Sequence, residues 1–164
     1  MNALPADPEA FTSSEARQRI ARAIALLKGE FGDRLSVGAA VREQHGRGEA
    51  FARSFPPDAV VWPGSTAEVS SILKLCNAHR TPAIAFGAGT SLEGHVSALF
   101  GGVTIDMSRM DSVLAVHAED ADCVVQPGIT REALNAYLRD TGLFFPVDPG
   151  ANASQARCPF VTCR

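Results

Sequence analysis

Lysine is nearly absent from this chain; arginine supplies most of its 15 basic residues, which face 18 acidic ones for a net charge of −3. No basic stripe exists, and that excludes the electrostatic footprint of a nucleic-acid binder. No apolar run approaches the ~18 residues that a membrane-crossing helix needs. The opening MNALPADPEAF has no basic stretch followed by an apolar core, so no secretory leader is expected. The expected location is the cytoplasm, peripheral to a membrane at most. Zinc and redox spacings are missing too: Cys76 and Cys123 lie in helical and strand patterns, and Cys158 and Cys163 have four residues between them. No metal site is expected. What is there is ordinary globular material, 46% hydrophobic and 20% charged over 164 residues, which is enough for one domain with a core.

The pattern along the chain predicts a mixed α+β fold. Thr12 to Glu15 reads as a capping box, followed by Ile20, Ile24, Leu27 and Phe31 at helical spacing and a stop at Gly29–Gly32. Residues 42–58 are polar, broken by Gly46 and Gly48 and closed by Pro56–Pro57, and predict a long surface connection. Residues 1–54 are therefore assigned to an N-terminal helical segment and linker, and 55–164 to the main domain. There, Val60–Trp62 predicts a strand. Ser65–Glu68 is a second capping box, opening a helix with Val69, Ile72, Leu73 and Cys76 on one face. Ala83–Phe86 predicts a strand parallel to the first. Val103–Asp106, Ser112–His117 and Cys123–Gln126 follow as a meander. Thr130 caps a helix with Ala133, Leu134, Tyr137 and Leu138 inward, Thr141–Gly142 ends it, and Leu143–Phe145 reads as a last short strand.

The stretch AIAFGAGTSLEGH, residues 83–95, carries the chemistry. A buried strand delivers a loop with Gly87, Gly89 and Gly94, and with Thr90 and Ser91 between them. Glycine accepts positive φ and brings no Cβ, so such a loop can turn several N–H groups toward one anion. A P-loop needs a lysine after its last glycine, and none follows Gly94. A dinucleotide fingerprint needs a third glycine where Leu92 stands and a helix afterwards, whereas HVSALFGGVTI runs into another strand. Two readings remain from the residues alone: a free-standing pyrophosphate loop, or a plain glycine-rich turn. His45 reads as structural, and His95 as a solvated or hydrogen-bonded bystander. Asp106 and Asp111 read as turn caps, Asp120 and Asp122 as hairpin-turn residues, and Trp62 as a packing residue.

The runs PDAVVWPGSTAEVSSILKLCNAHRTPAIAFGAGTSLEGH and DMSRMDSVLAVHAEDADCVVQPGITREALNAYLRDTGLFFPVDPGANAS, with VREQHGRGEAF upstream, resemble the FAD-linked oxidase family. This is the flavin fold of p-cresol methylhydroxylase and vanillyl-alcohol oxidase, and the likeness is to its branch of cytochrome-linked D-lactate dehydrogenases and glycolate oxidase flavoprotein subunits. The resemblance covers about residues 40–154, several motifs in order. It implies the first lobe of a PCMH-type FAD-binding domain in an oxidoreductase that passes electrons from a small 2-hydroxy acid, through flavin, to a cytochrome or quinone. It implies that Gly87, Ala88, Gly89, Thr90, Ser91 and Leu92 wrap the FAD pyrophosphate. Pro127 and Gly128 would line the flavin's path, and Asp148, Pro149 and Gly150 would begin a second flavin-binding segment. Thr90 stands where some relatives tether flavin through histidine, which implies non-covalent FAD.

After PVDPGANAS the family pattern continues into glycine-rich stretches, whereas this sequence reads QARCPFVTCR. The resemblance implies that the family's substrate-binding groups and catalytic base lie in that further part, so these residues do not name a catalytic base. A ligand site usually buries 70–90% or more of its ligand. Half of a two-lobed grip therefore predicts weak FAD binding, and the alternative functions are a flavin-binding fragment without turnover or a glycolate oxidase flavoprotein subunit.

Overall fold

The structure, a computed structural model, describes residues 9–48, 53–90, 92–146 and 162–163. The short turn α1 (Glu9–Thr12) leads into α2 (Ser14–Phe31). Ser13, not Thr12, caps α2: Thr12 is already helical in α1, whereas Ser13 is extended and accepts the Ala16 N–H at 3.2 Å. Ala16, Ile20, Ala23, Leu27 and Phe31 form the buried stripe of α2. After β1 (Leu35–Ser36) comes α3 (Ala39–Gly46). The expected surface connection over 42–58 is thus corrected, since its first residues are helical. Tertiary latches hold this helix. Phe55 N–H donates to Gly46 O at 2.9 Å, the Arg42 guanidinium donates to Pro57 O, and α3 contacts the strand that follows.

That strand is β2 (Ala59–Val61), followed by α4 (Thr66–Ala78), β3 (Ala83–Phe86) and β4 (Val103–Asp106). Ser65 caps α4 as expected, accepting the Glu68 N–H at 3.2 Å. Ile72 and Cys76 are buried, but Leu73 faces solvent. The four strands form one sheet in the order β1-β2-β4-β3, with β4 parallel to both its neighbours and β1 antiparallel to β2. Leu27, Phe31, Leu35, Ile72 and Cys76 close over Ala59, Val61, Val103 and Ile105 to make the main core.

The expected meander is also corrected. All four residues of β4 are buried, as befits a central strand covered on both faces, so β4 inserts between β2 and β3. β5 (Val113–His117) and β6 (Asp122–Val125) pair instead with each other as an antiparallel hairpin, and β7 (Thr162–Cys163) adds to β6. Helix α5 (Arg131–Leu138) is capped by Thr130, and Leu134 and Leu138 bury against Cys123 and Ile129. Ala133 and Tyr137, expected inward, are exposed. Residues 143–145 form no strand, because the Asn135 side chain takes the backbone of Phe145, accepting its N–H at 2.6 Å and donating to its carbonyl at 3.3 Å. The result is the mixed α+β architecture the sequence implies.

Candidate functional site

Open parallel sheets bind ligands beyond the carboxyl ends of their strands. Here β2, β4 and β3 end in one row: Phe86 pairs with Asp106, Val61 pairs with Ile105, and Trp62 follows Val61. The loop from Gly87 springs from this edge. Gly89 has φ +74°, and a Cβ there would lie 2.8 Å from Cζ of Phe86. Both conformation and space require glycine at this position. Gly87, Ala88 and Thr90 are half-buried and Leu92 is exposed, while Ser91 lies outside the described residues. Residues 92–102 run as turns into β4 with no helix, so the dinucleotide-fingerprint geometry is absent.

The Pro127–Gly128 turn follows β6 and reaches the same edge. Gly128 N–H donates to Met110 O at 2.7 Å, and a Cβ at Gly128 would strike the carbonyl oxygen of Met107, just beyond β4. This turn therefore has a packing requirement of its own. Asp148, Pro149 and Gly150 lie outside the described residues.

Sequence reasoning missed a buried cluster behind the loop. His45 Nε2 bonds Asp106 Oδ2 at 2.9 Å, and Trp62 Nε1–H donates to the same oxygen at 2.9 Å. Asp106 Oδ1 accepts Ser108 N–H at 2.8 Å, which is the capping role expected of it. His45 Nδ1 lies 2.8 Å from Val41 O, and the Phe86 ring packs on the His45 ring at 4.6 Å between centroids. Burial disfavours the charged form of His45, yet the Asp106 carboxylate and the Val41 carbonyl outweigh it and raise its pKa above 6.5. Burial likewise opposes ionisation of Asp106, but bonds from His45, Ser108 and Trp62 hold its pKa below the usual value. Arg109 sits over the Trp62 ring, 5.7 Å from its centroid. His95 is exposed.

Residues 57–156 match the family described as FAD binding domain. The chain belongs to that family. It is 54% identical over 139 residues to the probable mitochondrial D-lactate dehydrogenase of Danio rerio, covering 85% of this chain and 28% of that protein. It is 45% identical over 148 residues to the mitochondrial D-lactate dehydrogenase [cytochrome] of Arabidopsis thaliana, covering 89% of this chain and 26% of that one. The chain thus spans about a quarter of the length of the curated relatives it matches. Among solved structures, alkyldihydroxyacetonephosphate synthase superposes with TM-score 0.76 at 25% identity, covering 84% of this chain and 30% of that one. FAD is accordingly the cofactor of this domain, and the residues present fit it. The strand edge offers a loop with nothing larger than a methyl group from Gly87 to Gly89, followed by a threonine hydroxyl.

Proposed function

We propose that this chain is the FAD-holding part of a D-2-hydroxy-acid dehydrogenase of the D-lactate type, with a cytochrome or quinone as electron acceptor. The observation that carries the reading is Gly89, whose positive φ and contact with Phe86 admit no side chain, in a family of FAD-binding domains. The names of the zebrafish and Arabidopsis relatives support D-lactate over glycolate, and the Arabidopsis name supports a cytochrome. Amides of Gly87 to Leu92 would donate to the FAD pyrophosphate, joined by the hydroxyls of Thr90 and Ser91. Pro127 and Gly128 would line the cofactor's path, and Asp148, Pro149 and Gly150 would begin the second segment. With threonine at position 90, nothing at that place can tether the flavin, so FAD would be held non-covalently. Bound FAD supplies a hydride acceptor; the protein's share is to hold and orient it. The start of the family match at residue 57 supports a functional boundary near 54/55. Among the described residues no helix is long and apolar enough to cross a membrane. A cytoplasmic placement competes with the mitochondrial one in the relatives' names, and cell fractionation separates the two.

The test is FAD titration of the purified chain, with dye reduction by D-lactate measured in parallel. The expected result is weak, reversible FAD binding that Gly89→Val abolishes, because a branched Cβ meets the Phe86 ring and resists positive φ. FAD affinity unchanged in Gly89→Val would sink the cradle assignment. Dye reduction by this chain alone would show that these residues suffice for turnover and would overturn the FAD-holding-part reading.

A further inference from the structure

Four side chains from separate elements meet behind the loop assigned to FAD. His45 lies near the end of α3, Trp62 follows β2, Phe86 ends β3 and Asp106 ends β4. His45 Nε2 faces a carboxylate oxygen at 2.9 Å and its Nδ1 faces a backbone carbonyl oxygen at 2.8 Å. A carbonyl oxygen only accepts, and so does an ionised carboxylate. Both ring nitrogens must therefore donate, and a ring that donates from both is an imidazolium. Only 5% of His45 and 7% of Asp106 is exposed, so the two opposite charges are buried together. The same imidazole packs against the Phe86 ring, and that ring occupies the space a Cβ on Gly89 would need. Two contacts connect the pair to the loop.

We propose that His45 is a positioning residue of the flavin cradle: clamped between the Val41 carbonyl and the Asp106 carboxylate, it fixes the Phe86 ring against which the Gly87–Gly89 backbone folds. The proposal rests on the reading of residues 87–92 as that cradle. Losing the second proton leaves one ring nitrogen presenting a lone pair to an oxygen, and the clamp opens. The charged groups of the surrounding elements are engaged elsewhere. Glu43 of α3 pairs with Arg47 just beyond that helix, Arg42 donates to Pro57 O, Asp58 accepts from Gly102 N–H and pairs with Arg17, and Arg109 covers Trp62. Asp106 is thus the partner whose charge sets the state of His45. Because the folded pKa of His45 lies above 6.5, the clamp is fully present below that value and is lost as pH rises through the folded one.

Trp62 is the single tryptophan of the chain and donates to the same Asp106 oxygen, so its fluorescence reports the clamp without any ligand. In the ligand-free chain its emission should titrate with a midpoint above 6.5, and His45→Gln should abolish that transition. FAD affinity of the wild-type chain should fall about tenfold as pH passes the same midpoint, the scale of one charge-assisted contact. His45→Gln should bind at every pH as weakly as the wild type does above its midpoint, about tenfold below the wild-type affinity at low pH, with a flat profile. Phe86→Leu should keep the Trp62 titration yet show the same weak, flat FAD binding, which separates positioning from simple support of the fold; far-UV circular dichroism checks that both variants fold. If either folded variant binds FAD as wild type does, while Gly89→Val loses it, the clamp has no positioning role and the cradle reading stands. If Gly89→Val also binds normally, the cradle reading fails and takes this proposal with it. A wild-type affinity that is flat between about pH 5 and 9 overturns the proposal directly.

Discussion

The two sheets bury themselves differently. In the parallel sheet, β2 and β4 are buried along their whole lengths, with α2 and α4 covering one face. In the hairpin sheet only Cys123 is buried among the β5 and β6 residues, and Leu114 and Val124 are 62% and 47% exposed. Among the described residues its core has only Cys123, Ile129, Leu134 and Leu138 buried, with half-buried side chains such as Val113, Val116 and Val125 packed around them. The difference explains where the polar cluster sits. A buried ion pair such as His45–Asp106 survives only where its geometry is held and its hydrogen bonds are complete. The ends of the parallel strands, with β4 buried between β2 and the edge strand β3, provide that; a half-open hairpin does not. The hairpin instead contributes a turn, Pro127–Gly128, that leans on the backbone beyond β4.

Truncating one fully buried leucine in each region breaks the comparison most directly. Leu27 and Leu134 are both 0% exposed. Leu27→Ala should cost about 3–4 kcal/mol, because the hole is walled by helix and sheet together and cannot collapse. Leu134→Ala should cost about 2 kcal/mol, near the low end for such changes, since the neighbouring hairpin has an open face and can relax into the space. Urea unfolding of the two variants measures both values. Equal losses would mean that the hairpin sheet is packed as tightly as the parallel one, and the contrast would fall. Hydrogen exchange sharpens the same point: amides of β5 and β6 should open at lower free energy than those of β2 and β4.

What the sequence shows of this arrangement is what is local. The apolar runs of β2, β3 and β4, and the caps at Ser65 and Thr130, stand within a residue of where the pattern puts them. Strand order is not a local property. VTID reads equally well as the start of a meander or as a central parallel strand; a clue was that both of its faces are apolar or small enough to bury. Helix α3 escaped because polar residues and Gly46 mimic a loop, and the latch from Phe55 that holds it lies outside any helical window. His45 escaped for the same reason. Its partner Asp106 is 61 residues away, and one sequence gives no sign that the two meet. The demand at Gly89, positive φ and no Cβ, was legible because it is written in the residue itself.

The smallest effect belongs to the ion pair on the rim of the parallel sheet. Both terminal guanidinium nitrogens of Arg34, Nη1 and Nη2, donate to Glu68 at 2.7 Å, and Glu68 also accepts the Gly64 N–H at 2.7 Å, tying the turn before β1 to the first turn of α4. The Arg34 hydrogen bonds, followed by the Gly64 N–H, pull the Glu68 pKa down to about 2. A depressed carboxyl stabilises the fold above its unfolded pKa, here 4.5, and that contribution disappears as pH falls through the folded value near 2. The pair is about a third exposed, so solvent screens it and its contribution is smaller than that of either leucine. Glu68→Gln should therefore unfold at nearly the wild-type urea concentration near neutral pH, and should lose less stability than wild type on acidification from 4.5 toward 2. An acid slope identical in the two proteins would mean that the fold does not sense this pair. Because Glu68 belongs to the parallel sheet's own helix, the same acid titration should leave the exchange of β5 and β6 amides in wild type and Glu68→Gln indistinguishable, unless the two regions unfold as one.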